Sequence, residues 1–283
     1  MNKFILGLFL ILLSTYSYSN NWFEQYVTNA KAEILKPLEA KKNFSGLTYV
    51  PQTQSYYAII NKGDRLYELD NRFNLKRAIT LQGFDDPEDL TYLYMSALGP
   101  VFAISEEPGR ILFGAIGSET TLNAQKMKPI SLVDEAGRAL SFSDNKGLEG
   151  IVYLPSENRI IVLKEKNPIK VWSFTFPEAN RSYTVTARNY LPVETENLIN
   201  KLVTDLSAVS FNEKENALVF LSDESSKYFY VDLATLQITK VVNIKEELQH
   251  EALSFSADFE TTFVGSEPFY LMQINSGNTS LSR

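Results

Sequence analysis

Glu149-Gly150-Ile151-Val152-Tyr153 is one of five related segments that recur along this chain. Each copy has a small or acidic residue, then Gly, Ala or Asp, an aliphatic residue, one further residue and an aromatic. The copies begin at Ser45, Glu88, Glu149, Ser207 and Glu251. A period of roughly 40 to 60 residues is typical of architectures built from stacked structural repeats.

Short β-branched and aromatic runs alternate with turn residues inside each copy, as at residues 56–60, 65–69 and 77–81. Such runs predict successive antiparallel strands. We predict an outermost strand before the next copy at residues 76–81, 128–132, 183–186 and 240–244. The expected fold is therefore all-β, a five-bladed β-propeller with four-stranded antiparallel blades that bury their faces against one another.

The last copy lacks an outermost strand, because its final apolar run leads directly into residues 276–283, which are predicted to be a flexible tail. Residues 31–36 have the outer-strand pattern and precede the first copy without a blade of their own. We predict that they complete the fifth blade and close the ring, which removes an exposed sheet edge. A six-bladed ring, and a free amphipathic helix at residues 22–40, are the alternatives.

The N-terminus predicts export. Residues 1–19 resemble a signal peptide, with Lys3 before an apolar run and small residues Ser17 and Ser19 near the expected cleavage site. An uncleaved anchor is the alternative, and residues 20–275 are expected to form one domain. The sequence contains no cysteine, which fits an exported protein that needs no disulfides. We expect a periplasmic or extracellular protein or, if anchored, one on the inner membrane facing the periplasm.

The formal net charge is −7, and the sequence has no basic stripe with interleaved aromatics. Nucleic acids and anionic membrane surfaces require clustered Lys and Arg side chains. We therefore expect no nucleic-acid partner, and membrane contact only through an uncleaved N-terminal segment.

A second oxygen-bearing residue follows each opening position by sixteen residues, or by eighteen in the second copy. These residues are Asn61, Glu106, Glu165, Asp223 and Glu267. The first two strands of a propeller blade form a hairpin, so the start of one strand lies beside the end of the other. We expect Glu149 and Glu165 to be cross-strand neighbours, and all ten positions to surround one mouth of the central channel.

Carboxylates that face each other repel and raise each other's pKa unless a cation compensates. Oxygen ligands, without cysteine and with a single histidine, favour calcium over zinc or copper. The alternative is that the acids cap strand ends or pair with lysines. The predicted calcium ligands are Glu88, Glu106, Glu149, Glu165, Asp205, Asp223, Glu251 and Glu267.

His250 is the only histidine and adjoins Glu251, which makes it a weak candidate for a catalytic acid or base. A structural role is the alternative, since no Ser/His/Asp arrangement accompanies it. Two insertions, residues 134–145 and 190–203, precede inner strands and are expected on the acidic face. Loops at the mouth of a rigid scaffold commonly determine specificity.

Several short strings in this order resemble the SdiA-regulated family. They include Asn43-Phe44-Ser45-Gly46, Gly83-Phe84-Asp85-Asp86-Pro87-Glu88, Leu148-Glu149-Gly150, Asp205-Leu206-Ser207 and Ser266-Glu267-Pro268. The resemblance implies an exported or membrane-attached five-bladed propeller, distantly similar to NHL-repeat propellers, with bound calcium and no established enzymatic activity. Asp89 departs from the family pattern, in which Gly follows the acid, and Phe269 replaces the expected Asn.

We interpret the chain as an exported calcium-binding propeller that binds a small ligand or a protein partner at its acidic mouth. One alternative is a calcium-dependent hydrolase, phytase-like or lactonase-like, in which the metal polarises a phosphoryl or acyl oxygen. That alternative depends on an analogy of fold. The other is a purely structural interaction scaffold.

Overall fold

The computed structural model describes residues 27–30, 33–37, 43–61, 64–140, 142, 147–177, 183–245, 248–267, 270–275 and 280–281. Strands β1 (Val27–Ala30) and β2 (Glu33–Pro37) come first in the chain. The first blade follows, with β3 (Phe44–Val50), β4 (Ser55–Ile60), β5 (Arg65–Leu69) and β6 (Leu75–Gln82) as an antiparallel meander.

The second and third blades repeat this order. In each case, one additional strand of the segment pairs with the preceding blade. The second comprises β7 (Pro87–Ser96), β8 (Gly99–Glu106), β9 (Ile111–Ala115) and β11 (Lys128–Val133), while β10 (Thr121–Asn123) pairs in parallel with β6 of the first blade. The third comprises β12 (Leu148–Leu154), β13 (Arg159–Lys164), β14 (Lys170–Thr175) and β16 (Arg188–Asn189), and β15 (Tyr183–Thr186) lies between β14 and β16 in the chain.

Helix α1 (Val193–Leu202) leads into the fourth blade, which is β17 (Ala208–Asn212), β18 (Ala217–Ser222), β19 (Lys227–Asp232) and β20 (Ile238–Ile244). The fifth blade consists of β21 (His250–Phe255), β22 (Thr261–Ser266), β23 (Tyr270–Asn275) and the N-terminal β2. Strand β24 (Ser280–Leu281) pairs with β1, which itself pairs in parallel with β20.

Five hydrophobic clusters lie between neighbouring blades, one at each junction of the ring. Phe44 and Phe263 join the fifth blade to the first, and Phe220 and Phe229 belong to the cluster between the third and fourth. Helix α1 adds Ile199 to that third-to-fourth cluster. Because each sheet buries both faces only when its neighbours are present, the clusters hold the ring together. The chain is a five-bladed β-propeller, as its repeat predicts.

Ring closure by the N-terminal strand is confirmed. Strand β2 pairs antiparallel with β23, with Glu33 opposite Gln273 and Pro37 opposite Tyr270. The alternatives of six blades and of a free helix at residues 22–40 are therefore wrong, since the described part of this segment is two strands.

One predicted strand is present but pairs with a different strand from the one expected. Residues 183–186 form β15 as expected, but β15 pairs in parallel with β11 of the second blade, with Ile130 opposite Tyr183. The buried ring of Tyr183 contacts Phe113 there, at 5.0 Å between centroids. The outer strand of the third blade is instead β16, opposite β14. An alternating pattern predicts a strand, but it does not specify which of two sheet edges the strand covers.

The predicted signal peptide at residues 1–19 lies outside the described residues, as do residues 276–279 and 282–283 of the predicted tail. In the described part of the chain, no helix combines the length and apolar character needed to cross a bilayer.

Candidate functional site

The opening residue of the repeat occupies a β-bulge at the start of the inner strand in four blades of the described structure. The pairing register between the first two strands slips at Ser45, Glu88, Glu149 and Glu251. A bulge leaves its extra residue outside the ladder and redirects that side chain. The bulges therefore turn the repeat's polar residues toward the channel mouth.

In four blades, all except the second, the second repeat position is the residue immediately after the second strand. Glu165 follows Lys164, the last residue of β13, and Asp223 and Glu267 follow the ends of β18 and β22. Asn61 has the same place after β4. These residues join the bulged residues at the same end of the blades.

Together these positions enclose one cavity of about 390 Å³ at the channel mouth. Ten of its lining residues are acidic, and Lys166 is the one basic residue among the lining residues that the structure describes. Amide and hydroxyl groups from Asn43, Ser45, Asn61, Ser207 and Gln249 complete the wall. The acidic residues are Asp86, Glu88, Glu107, Glu149, Glu165, Asp205, Asp223, Glu224, Glu251 and Glu267.

Seven of the eight predicted ligand residues line this acidic mouth, and Glu106 does not. Glu106 lies within β8, opposite Pro87, and is fully buried. Its carboxylate forms an ion pair with Arg110 and accepts the Asp85 N–H at 2.7 Å. Glu107 is the residue that follows the strand, and it lines the cavity instead. The spacing from Glu88 along the sequence predicts Glu106 in place of Glu107, because β8 continues further than the second strands of the other blades.

Backbone contacts hold Glu107 in place. The Leu148 N–H donates to the Glu107 carbonyl at 3.2 Å, and the Glu107 N–H donates to the Asp86 carbonyl at 3.0 Å. A side chain at Gly147 would collide with that Glu107 carbonyl, so the close approach requires glycine. As a result, one carboxylate oxygen from each of Asp86, Glu88 and Glu107 lies within 4.8 Å of the others.

The expected direct pairing of Glu149 with Glu165 is displaced by one residue. Leu148 and Lys164 are the residues directly opposite each other, whereas Glu149 is in the bulge and Glu165 is beyond the strand end. Both carboxylates still line the cavity.

Burial and mutual repulsion raise the pKa values of several carboxyl groups at the mouth. Burial, followed by the charges of Asp86 and Glu107, raises the pKa of Glu88 to about 9. Burial, then a hydrogen bond with Asp86, raises the pKa of Glu107 to about 7. Burial, then Asp223 and other acids, raises the pKa of Glu251 to about 8. These shifts mean that the surrounding protein does not compensate the full set of negative charges.

The carboxyl group of Glu149 interacts with the charges of several of these groups. Burial raises its pKa well above the ordinary value, and the next causes are the charges of Glu88 and Glu251. Glu149 thus interacts with acids of both the second and the fifth blade.

Asp205 and Asp223 are held by hydrogen bonds. The buried Asp205 accepts the Ser222 hydroxyl and the backbone N–H groups of Asp223 and Glu224, the latter two at 3.1 and 3.3 Å. Asp223 accepts the His250 N–H at 2.7 Å, which ties the fourth blade to the fifth. Burial nevertheless raises the pKa of both carboxyls. Asp205 therefore fixes the turn that presents Asp223 and Glu224 to the cavity.

Lys166 lies on the side of the mouth that the third and fourth blades form. Its ammonium group lies 2.6 Å from Glu165 and 2.9 Å from Glu224. Glu88 and Glu149 instead have other carboxylates as their charged neighbours. The carboxyl groups of Glu88, Glu149 and Glu251 thus repel one another across the mouth.

His250 does not line the cavity. Its side chain is fully buried, and its Nδ1 lies 2.9 Å from the Ser266 hydroxyl on the adjacent strand. Its carbonyl accepts the Ser207 hydroxyl at 2.7 Å. These contacts give His250 a structural place between two blades.

The two insertions contribute none of the lining residues that the structure describes. Residues 190–203 contain α1, which packs on the third-to-fourth cluster. In the first insertion, Asp134 forms an ion pair with Arg138 in an exposed turn, while residues 141 and 143–146 lie outside the described chain.

Comparison with known proteins supports the fold and establishes the family. A luciferin-regenerating enzyme superposes with a TM-score of 0.55 and 9% identity, over 89% of this chain and 97% of that chain. A chain of a nidogen/laminin complex gives a TM-score of 0.50 and 11% identity, over 80% of this chain and 73% of that one. Such low identities show similarity of fold alone. The family model described as SdiA-regulated matches residues 19–268. The chain therefore belongs to the SdiA-regulated family.

Proposed function

We propose that this protein is an exported propeller that binds calcium at its acidic mouth and there holds a small ligand or a protein partner. One observation carries the proposal: in the part of the chain that the structure describes, ten acidic residues from four blades line a single cavity of about 390 Å³ together with one lysine. Export is proposed from the sequence of residues 1–19.

The donor chemistry of the mouth fits calcium. Calcium takes six to eight oxygen ligands in irregular geometry, and carboxylates, amides and hydroxyls make up this wall. The raised pKa values of Glu88 and Glu251 are the response expected of carboxylates that lack a cation. Glu88, Glu149 and Glu251, which bulges turn toward the channel, would hold the ion, with Glu107 and Asp86 beside them.

A bound ion would compensate part of the negative charge of the mouth and offer a Lewis acid to an oxygen of the ligand. The protein's own residues would then orient that ligand. Asn43, Asn61 and Ser45 line the first-blade side of the cavity, where acids are absent from the described lining residues. Asn61 donates to Glu88 at 3.1 Å, so the first blade is already connected to the acidic cluster.

Calorimetric titration of the metal-free mature protein with calcium tests the proposal, with thermal melting as a second readout. We expect saturable binding and a higher melting temperature. Glu149→Gln removes a central charge and should weaken calcium binding by about tenfold or more. The matched control is Glu213→Gln, an exposed residue in the turn after β17, which should bind calcium as the wild type does. A wild type that neither takes up calcium nor gains stability from it would refute the metal site.

The same variants test the hydrolase alternative. Hydrolysis of phosphate esters or lactones by the wild type, and its loss in Glu149→Gln, would replace the binding proposal with a catalytic one. A partner bound by the wild type and by Glu149→Gln alike would instead indicate a scaffold.

A further inference from the structure

The aromatic position of the repeat lines a second cavity. Its volume is about 150 Å³, and all five blades contribute to it. The contributing repeat residues are Tyr49, Tyr92, Tyr153, Phe211 and Phe255. The aromatic residues thus mark a site as well as the strands that contain them.

This second cavity lies at the end of the channel opposite the acidic mouth. Tyr153 comes four residues after Glu149 on the same inner strand, β12. At a rise of about 3.3 Å per residue, the two positions are separated by about 13 Å along the strand. The same offset separates Ser45 from Tyr49 and Glu251 from Phe255. We name this end the aromatic mouth.

The lining of the aromatic mouth carries no charge in the residues that the structure describes. Hydroxyl groups come from Thr48, Thr91, Ser210, Ser254 and Ser256, and the remaining lining residues are aromatic, proline and valine. A charged ligand would lose its hydration here without gaining an ion pair, which is costly. The lining therefore selects for an uncharged ligand.

The aromatic side chains are held by neighbours and are not free to collapse into the cavity. The ring of Tyr49 lies 4.9 Å from that of Tyr56, and Tyr92 lies 6.1 Å from Phe102, centroid to centroid. The Tyr153 hydroxyl donates to Asn158 Oδ1 at 3.0 Å. A pre-formed wall of this kind binds with little loss of side-chain entropy.

We propose that the aromatic mouth binds one uncharged aromatic ring. An apolar cavity of about 150 Å³ is large enough to hold benzene. Aromatic walls favour a ligand ring through offset or edge-to-face contacts, and the hydroxyls can bond to one polar substituent. This proposal does not depend on calcium binding at the other mouth.

The ring can come from a small molecule or from a peptide side chain, and the adjoining hairpin distinguishes the two. The end of β7 exposes Tyr94 and Met95, and the turn to β8 exposes Leu98, which is 77% exposed. These residues follow Tyr92 on the same strand and its turn, so they extend apolar surface beyond the cavity. A peptide would contact this hairpin as well as the cavity, whereas a free ring would not.

Heteronuclear NMR titration of the mature protein provides the test. p-Cresol should give saturable shifts at residues of the aromatic mouth, and 4-hydroxybenzoate, of similar size but charged, should bind at least tenfold more weakly. A capped Gly-Gly-Tyr-Gly-Gly peptide should bind more tightly than p-cresol if the source is a peptide, and Leu98→Ser should then remove only that gain.

Ser210→Leu fills the cavity from β17 and should abolish the p-cresol shifts. Its matched control is Ser131→Leu, at an exposed position of β11 far from the channel, which should titrate as the wild type does. An unchanged melting temperature shows that each variant is folded, and Thr48→Leu fills the cavity from another blade if Ser210→Leu does not fold. Absence of saturable shifts in the wild type, or wild-type titration by both filling variants, would overturn the proposal.

Discussion

Gly46 and Asp89 lie against each other between the inner strands of the first and second blades: a Cβ at Gly46 would be 2.7 Å from Asp89 Oδ1. Asp89 is buried and accepts the N–H groups of Leu90 at 2.7 Å and Ile151 at 3.0 Å. Burial raises the pKa of its carboxyl group well above the ordinary value. The departure from the family pattern at Asp89 therefore places a polar link between the second and third blades, in space that Gly46 leaves open.

Gly46→Ala should destabilise the protein by about 1 to 3 kcal/mol, because the methyl group would collide with Asp89 and the backbone beside it. Urea unfolding monitored by circular dichroism measures the change. The control is Gly114→Ala, whose Cβ would meet the flexible Met127 side chain at 3.4 Å, and which should change stability much less. Equal stability of both variants would show that the first two blades have room to separate.

Asp89→Ala should cost about 1 to 3 kcal/mol, because the buried Leu90 and Ile151 N–H groups would lose their acceptor. Asp89→Asn keeps one acceptor oxygen and should lose less. Combining Asp89→Ala with Gly46→Ala in a double-mutant cycle checks the contact: the methyl group should be tolerated better once the carboxylate is gone. Strict additivity would show that the backbone atoms at 2.8 and 3.0 Å, and not the carboxylate, limit the space at Gly46.

In the metal-free protein, the free energy of unfolding should fall as pH rises from about 5 to about 9. Glu107, Glu251 and Glu88 have folded-state pKa values of about 7, 8 and 9, above the ordinary 4.5. The unfolded chain releases these protons near pH 4.5, whereas the folded state holds them and releases them only across this window, so stability falls toward the alkaline end.

Melting temperatures measured across that pH range with a chelator, and again with millimolar calcium, check this prediction. Bound calcium should compensate the carboxylate charges in place of the protons. Most of the fall in the free energy of unfolding with pH should then disappear. A stability that rises with pH in the chelator would show that other groups compensate the acidic mouth.

Glu106 and Glu107 should have separable roles. Glu107→Gln removes a carboxylate from the mouth and should weaken calcium binding several-fold with little change in stability. Glu106→Gln disrupts the ion pair between the buried Glu106 carboxylate and the partly exposed Arg110, and it should cost about 1 to 3 kcal/mol of stability, with calcium affinity retained. Titration calorimetry and urea unfolding of both variants measure the two effects. The opposite assignment of effects would restore Glu106 as the ligand.

The sequence predicts the ring well because the repeat is a property of the local chain. Five copies with strand-forming runs predict five sheets. The outer-strand pattern near residue 33 has no blade of its own, so it predicts pairing with the last blade of the chain. Partner choice is less predictable: β15 has the pattern of an outer strand, but whether it covers β11 or β14 depends on packing of Tyr183 against Phe113 across two blades.

Fixed spacing along the chain predicts most of the acidic mouth and fails where a strand changes length. Glu149 and Glu165 share the cavity as expected, but Glu107 takes the place assigned to Glu106 because β8 is longer. The repeat in the sequence does not by itself predict the aromatic mouth. Tyr49 and its counterparts are recognisable in the sequence as strand residues, and only the closed ring shows that they converge.

Closure of the ring also determines when the protein can finish folding. Strand β2, near the start of the described chain, completes a sheet with β23, near its end. Bringing such distant segments together is entropically costly and slow, so the fifth blade should be among the last parts to form. Until then β23 presents an open edge, to which a second unfinished chain can add a strand. Pairing of the short segment Glu33–Pro37 with β23 is thus the step that ends this exposure to aggregation.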